Sequence, residues 1–353
     1  MRPRTIIAVC FMALAAFLVL NRCHIRDLYE VARTYATYHN FMQRHPEILY
    51  RYSPEALESS NTLDRQQQAP KIIHQIYLQE GRNSTLHKYA EAQSSCQSLH
   101  RTWTHLLWTD DNATTFMRRH YPSIAPHYEG YAQSIQRANV LRYALLHHFG
   151  GVYLDLDVTC LAPLDSLLHL PLLTPGAYPA GVNNAFILAR PRHGFLFRVL
   201  QGVAGRDMRW PMPYVENMLS TGCMFFTNRW MDYARDLQGR IGVVAEEDKV
   251  YTLADRYGNT EPHMLRGKAT TPLFTHGGAS SWHSWDAAVI VLIGEHYGYF
   301  LMLVGAGLVA LVCLMWKLRS RSNGGEGWSS HAHARRSMEK RDDEERMLAG
   351  KAC

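Results

Sequence analysis

The stretch Gln136–Cys160, QRANVLRYALLHHFGGVYLDLDVTC, decides the fold. It reads as a helix, a Gly-Gly turn and a strand. Leu141, Leu145 and Phe149 recur at helical spacing as an apolar stripe, and Asn139 and Arg142, three apart, share a neighbouring face. Gly150-Gly151 predicts a left-handed helix end and an immediate reversal. Val152-Tyr153-Leu154 then leads into Asp155-Leu156-Asp157 at the strand end. Strand side chains alternate, so both carboxylates are expected on one face and Leu156 on the other. Two such carboxylates suit a hard divalent cation that bridges a diphosphate. An Asp-x-Asp triplet alone is weak, most being solvated turns, so its setting decides its weight.

Working outward, Lys71–Tyr77 (KIIHQIY) after Pro70 reads as the first buried strand of an α/β sheet. His74 on it either reaches a nucleotide or is a hydrogen-bonded core histidine, and the second reading is preferred. Leu86–His100 has helical character, and Thr104–Thr109 (THLLWT) reads as a second strand. Asp110 or Asp111 is expected to cap the following helix through Arg119. Trp108 is suited to stacking on a base and equally to a core. The alternation of strand and helix predicts an α/β fold.

Two apolar runs flank this region. Thr5–Leu20 lies between Arg2, Arg4 and Arg22, Arg26; it is short for a span, and an uncleaved anchor is preferred over a cleaved signal peptide. Tyr297–Trp316 is uncharged, aromatic near both ends and followed by Lys317, Arg319 and Arg321, which predicts a span with a cytosolic C-terminus. Both termini are then cytosolic and Arg22–His296 lumenal. The expected layout is a cytosolic start (1–4), anchor (5–20), stem and linker (21–69), α/β domain (70–286), interfacial segment (287–296), membrane span (297–316) and disordered tail (317–353). In the stem, Leu28, Val31, Tyr35, Tyr38 and Met42 form one apolar helical stripe, packed on the domain or lying at the membrane surface.

Asn83-Ser84-Thr85 and Asn112-Ala113-Thr114 are glycosylation acceptors inside the lumenal part. Of seven cysteines, Cys23, Cys96, Cys160 and Cys223 face that oxidising space, with their pairing left open. The formal charge of +6 is scattered, with no basic stripe interleaved with aromatics, which argues against nucleic-acid binding.

Taken in order, IIHQIY, LWTD, QRANVLRY, GGVYLDLDV, CLAPLDSLL, GVNNAFILARP, STGCMFF and HGGASSWH resemble the DxD-containing glycosyltransferases of family 32 over about Pro70 to Trp285. Within them the chain is most similar to the fungal inositolphosphoceramide mannosyltransferases. The resemblance implies a GT-A fold, a Rossmann-like nucleotide-sugar-binding domain. It also implies GDP-mannose as donor with Mn2+ or Mg2+, and retaining transfer to inositolphosphoceramide in a Golgi or ER–Golgi membrane. It leaves room for a regulatory membrane subunit as partner. Two alternatives stand beside it: a protein N-glycan mannosyltransferase, and a non-catalytic regulatory subunit.

Carried onto this sequence, Asp157 ligates the metal, and Asp155 contacts ribose or sugar and the metal through water. Arg142 lies near the donor. His276 and Trp282 close over metal and diphosphate, His276 as a further ligand. Asn183 and Asn184 line the sugar pocket, or else cap a loop. Asn139, on the donor side, stands where the resemblance expects Asp. Thr221-Gly222-Cys223 stands where it expects Thr-Gly-Pro.

Overall fold

A computed structural model describes residues 3–52, 66–78, 86–177, 180–238, 245–254, 269–277, 285–296 and 298–317. The chain divides into two units, Met1–Val291 and Leu292–Cys353. The Asn83 acceptor, Trp282 and the tail beyond Lys317 lie outside the described residues, as does most of the linker.

The described strands are β1 (Leu49–Tyr50), β2 (Ile72–Ile76), β3 (Thr104–Trp108), β4 (Gly151–Leu154), β5 (Val158–Cys160), β6 (Leu172–Pro175), β7 (Phe186–Ala189), β8 (Tyr251–Leu253), β9 (Ala269–Thr270) and β10 (Phe274–His276). Seven of them form one sheet in the order β1-β8-β6-β7-β4-β2-β3. Only β7 runs against its neighbours; every other pairing in this sheet is parallel. Parallel strands covered on both faces need continuous apolar runs, which is why Ile72-Ile73 and Val152-Tyr153-Leu154 do not alternate with polar residues. A second, antiparallel sheet runs β5-β10-β9.

The helix Ser134–Phe149 feeds β4. Val140, Leu141, Tyr143, Ala144, Leu145 and Leu146 on it are all fully enclosed, so it is a core helix rather than one with a solvated face. It ends at Gly150, whose φ is 69° and ψ −164°: positive φ as expected, but not the left-handed helical cap. A Cβ at Gly150 would stand 2.7 Å from Pro191, and one at Gly151 (φ 98°) 2.6 Å from the Ile72 carbonyl oxygen. Only glycine allows β4 to start this close to β2.

The helix Asp110–His120 is capped by Thr109, not by Asp110 or Asp111. The Asn112 side chain accepts the Thr109 N–H at 2.7 Å, so the cap falls one residue earlier and both aspartates occupy the first turn, where the helix dipole favours them.

The helix Arg22–Arg44 packs on the domain through only part of the stripe its sequence suggested, Tyr38 being buried and Met42 half-buried against the core. Its buried residues are Asp27, Thr34, Tyr38 and Phe41, whereas Leu28 and Tyr35 are exposed. Charge turns the helix: Arg206 pairs with Asp27 and Glu30, and Arg229 donates to Glu30 at 2.7 Å. Thr34 donates to Asn228 at 2.7 Å and Tyr38 to the Gly181 carbonyl at 3.1 Å. The chain then adds β1 to the sheet edge, parallel to β8.

Cys96 and Cys160 form a disulfide that fastens the helix Ala90–Leu99 to β5. In the second unit, Gly298–Lys317 is a 20-residue helix long and apolar enough to cross a membrane. At the other end, Pro3–Leu20 is helical; its described apolar part, Phe11–Leu20, is shorter than a span.

Candidate active site

The ladder of β4 stops at Leu154, opposite Phe186. Asp155 therefore does not sit on a strand, and the two carboxylates do not meet by strand alternation. The Asp155 N–H donates to the Ala185 carbonyl at 2.8 Å, and its own carbonyl accepts the Val158 N–H at 3.1 Å, closing a turn over Leu156 and Asp157. The turn, rather than a shared pleat, presents both side chains.

The third member arrives from far along the chain. Antiparallel pairing of β10 on β5 sets His276 opposite Val158, the residue after Asp157. The Gly277 N–H then donates to the Asp157 carbonyl at 2.9 Å and fixes the register. His276 Nε2 lies 3.1 Å from Asp157 Oδ1 and 3.7 Å from Asp155 Oδ2. Its Nδ1 is buried and has no hydrogen-bond partner among the described residues. Burial works against the imidazolium, but the Asp157 hydrogen bond and the charge of both carboxylates raise the His276 pKa above its ordinary value. The two carboxylates thus favour the charged form of the ring.

One ligand atom from each of Asp155, Asp157 and His276 falls within 4.8 Å of the others. Donors about 2.0–2.2 Å from a small divalent ion stand roughly 3–4 Å apart, and the mixed oxygen and imidazole set is one that such ions accept. The residues fit a divalent cation.

Behind this trio lies a buried support. Arg142 is 2% exposed. Its guanidinium stands 3.1 Å from Asp155 Oδ1, donates to the Asn184 carbonyl at 2.7 Å and lies 4.4 Å above the Tyr153 ring. Burial opposes its charge, but Asp155 and the polar groups around it together outweigh burial and raise its pKa above the ordinary arginine value. Tyr153 donates to the same Asp155 oxygen at 2.7 Å. One oxygen of Asp155 is therefore anchored from two sides while the other faces His276.

Next to Arg142 runs a chain of amides. Asn139 donates to Asn217 at 2.9 Å and to Thr221 at 3.3 Å. Asn184 donates to Asn139 at 3.2 Å and to the Tyr143 hydroxyl at 2.7 Å, and accepts from the Cys223 thiol at 2.9 Å. The two positions that depart from the resemblance, Asn139 and Cys223, thus meet on one side chain, Asn184. The network has no charge of its own, and burial raises the Cys223 pKa, keeping the thiol protonated as a donor. Asn183 is also buried; its side chain accepts the Ala185 N–H at 2.7 Å, a loop cap.

His74 is a core histidine. Trp108 donates to its Nδ1 at 3.2 Å, which leaves the Nε2 proton to donate to the Gly150 carbonyl at 3.0 Å, and burial lowers its pKa to about 4. Trp108 packs among Phe116 and Phe149 rather than standing free for a base. Sequence reasoning missed Tyr153, although its spacing two before Asp155 was a usable signal. It also missed Tyr143, four after Asn139 on the same helix face. Asn217 had no local signal.

Residues 87–171 match the family described as the glycosyltransferase sugar-binding region containing a DXD motif. Inositol phosphoceramide mannosyltransferase 2 of Schizosaccharomyces pombe is 32% identical over 256 residues, covering 70% of this chain and 67% of that one. Mannosyl phosphorylinositol ceramide synthase SUR1 of Saccharomyces cerevisiae is 33% identical over 227 residues, covering 64% of this chain and 55% of that one. Among solved structures, the PaToxG glycosyltransferase aligns with a TM-score of 0.38 and 16% identity, over 48% of this chain and 72% of that one, too slight a likeness to build on. The chain belongs to the DXD glycosyltransferases and, within them, to the relatives of the inositol phosphoceramide mannosyltransferases.

Proposed function

We propose that this enzyme transfers mannose from GDP-mannose to inositol phosphoceramide, with retention at the sugar carbon. The observation that carries the reading is the Asp155–Asp157–His276 cluster, backed by buried Arg142, in a chain with relatives named for that reaction. The sheet order, with one reversed strand beside the carboxylate turn, supports a GT-A assignment.

Asp155, Asp157 and His276 would hold Mn2+ or Mg2+, which neutralises charge on the departing diphosphate. Arg142 and Tyr153 hold the Asp155 carboxylate in one orientation, so its second oxygen is already aimed when donor arrives. The Arg142 charge, enclosed and close to the site, adds electrostatic stabilisation where the leaving phosphate gathers charge. Asn184, held by Asn139, Tyr143 and Cys223, lines the sugar side. In the transfer, an inositol hydroxyl oxygen bonds to the sugar carbon as its bond to phosphate breaks. The hydroxyl proton passes to the leaving phosphate oxygen, so no protein base is required.

The disulfide and the Gly298–Lys317 helix support a catalytic domain in the lumen of the Golgi or ER–Golgi membrane, with both termini cytosolic. The Pro3–Leu20 helix would serve as a second anchor. A regulatory membrane subunit fits the same arrangement. The test is an assay of the purified full-length chain with labelled GDP-mannose and divalent metal, offering inositol phosphoceramide, free inositol phosphate and an N-glycan acceptor in parallel. Label in mannosylated inositol phosphoceramide is the expected result. Label only in the N-glycan would overturn the acceptor assignment.

A further inference from the structure

The exposed surface of the helix Arg22–Arg44 is mainly apolar over its first half, where Arg22 and Arg33 are the exposed charges, and polar over its second. Ile25 (38%), Leu28 (55%), Tyr29 (65%) and Tyr35 (38%) are exposed there. Beyond them the exposed residues are His39, Asn40, Gln43 and Arg44. The inward face is already committed to the domain through the Asp27 and Glu30 ion pairs, so the helix has no freedom to roll its apolar stripe inward. Such a stripe on a clamped helix needs an outside partner.

Its position says which. Helical hydrogen bonding continues across Asn21: its N–H reaches the Phe17 carbonyl at 3.0 Å, and its carbonyl takes the Ile25 N–H at 2.9 Å. The stripe therefore begins within one turn of the apolar helix Pro3–Leu20. Its far limit is near Tyr35, about 20 Å along at 1.5 Å per residue, after which the surface is polar.

Two further elements gather at the same end. Trp210 packs edge-on against His24, ring centroids 4.6 Å apart, and the neighbouring Arg209 side chain is 67% exposed. The helix Trp285–Glu295 is fastened by Asp286, which accepts the Tyr214 N–H at 2.6 Å, while Trp285 (69%) and Val289 (42%) face outward. His24 Nε2 lies 3.0 Å from the Arg209 carbonyl oxygen, and the Trp210 N–H donates at 2.9 Å to Glu216 on the same helix as Tyr214, which puts the stripe and this helix start in one neighbourhood. Exposed Trp and Tyr with arginines beside them, next to an apolar helix, is the composition of a membrane–water interface.

We infer that the membrane-proximal half of the helix Arg22–Arg44, together with the Trp285–Val289 face, seats the catalytic domain in the phospholipid headgroup layer. The domain is then held against the bilayer by its own surface and not only tethered by flanking helices. The inference stands on surface and packing alone, independently of the acceptor proposed above.

The test uses the purified full-length chain in phosphatidylcholine nanodiscs containing a phospholipid with a photoactivatable diazirine near the headgroup, with adducts mapped by mass spectrometry. Lipid adducts on Ile25–Tyr29 and on Trp285–Val289 are expected several-fold above those on the exposed Arg101-Thr102 loop. The double variant Leu28→Gln, Tyr29→Gln leaves the Asp27 and Glu30 pairs intact, and should lose most labelling of its own segment while GDP-mannose binding is unchanged. Labelling of Ile25–Tyr29 no greater than that of Arg101-Thr102 would overturn the inference and leave the stripe to a protein partner.

Discussion

Arg142 and Asp155 meet at 3.1 Å on an oxygen that also accepts the Tyr153 hydroxyl at 2.7 Å, so one half of the carboxylate is immobilised and the other half faces His276. Tyr153→Phe removes one of these two holds without opening a cavity. It is expected to lower metal affinity and turnover together by about 10–100-fold, as loss of an outer partner of a ligand does. The check is a Mn2+ titration of activity, in which a normal half-saturation point would count against the positioning role.

The stem helix depends on charge. Arg206 is buried against Asp27 and Glu30, and its removal leaves buried Asp27 to Arg26 and half-buried Glu30 to Arg229. Because both carboxylates keep a second arginine, Arg206→Ala should cost less than stranding a buried charge, roughly 1–3 kcal/mol. Thermal unfolding of the detergent-solubilised chain would measure it, with limited proteolysis expected to cut first within Arg22–Arg44.

The Cys96–Cys160 bridge closes a loop with a sequence separation of 64, for which chain entropy alone contributes about 4 kcal/mol. Cys96→Ser with Cys160→Ser should lower the melting temperature accordingly and free the β5 edge on which His276 is registered. A melting temperature unchanged by the double substitution would show that the helix Ala90–Leu99 holds β5 without the bond.

His74 makes acid stability pH-dependent. Burial lowers its folded pKa to about 4 from 6.5, so the folded state refuses a proton that the unfolded chain accepts. Its contribution is complete above pH 6.5 and declines as pH falls towards 4, by about 3 kcal/mol across that window. Denaturant midpoints measured from pH 7 to pH 4 should fall, and His74→Gln should flatten part of that slope. A wild-type profile already flat over the window would contradict the neutral buried ring.

Much of this was legible in residues alone, and the failures have physical causes. The runs Ile72–Ile76 and Val152–Leu154 read correctly as buried strands because their apolar residues do not alternate with polar ones, His74 and Gln75 being the buried polar pair within the first. The pairing of Asp155 with Asp157 was right in outcome and wrong in mechanism, since the ladder ends one residue too soon and a turn gathers them. His276 has no local pattern at all; its place comes from β10 pairing with β5, a long-range event that only the resemblance anticipated. The stem helix was read by its apolar stripe, but buried ion pairs set its rotation, so that Tyr38 and Met42 pack inward while Leu28 and Tyr35 stay outside. Tyr153 was within reach of a spacing argument that stopped at the carboxylates.

The central claim is that Asp155, Asp157 and His276 hold the divalent ion through which the donor diphosphate is bound. Calorimetric titration of GDP-mannose into the full-length chain, with and without Mn2+, compares wild type with Asp157→Asn most directly. The account predicts donor binding that strengthens with Mn2+ in wild type and loses that dependence in Asp157→Asn. Mn2+-dependent donor binding of undiminished strength in Asp157→Asn would contradict it.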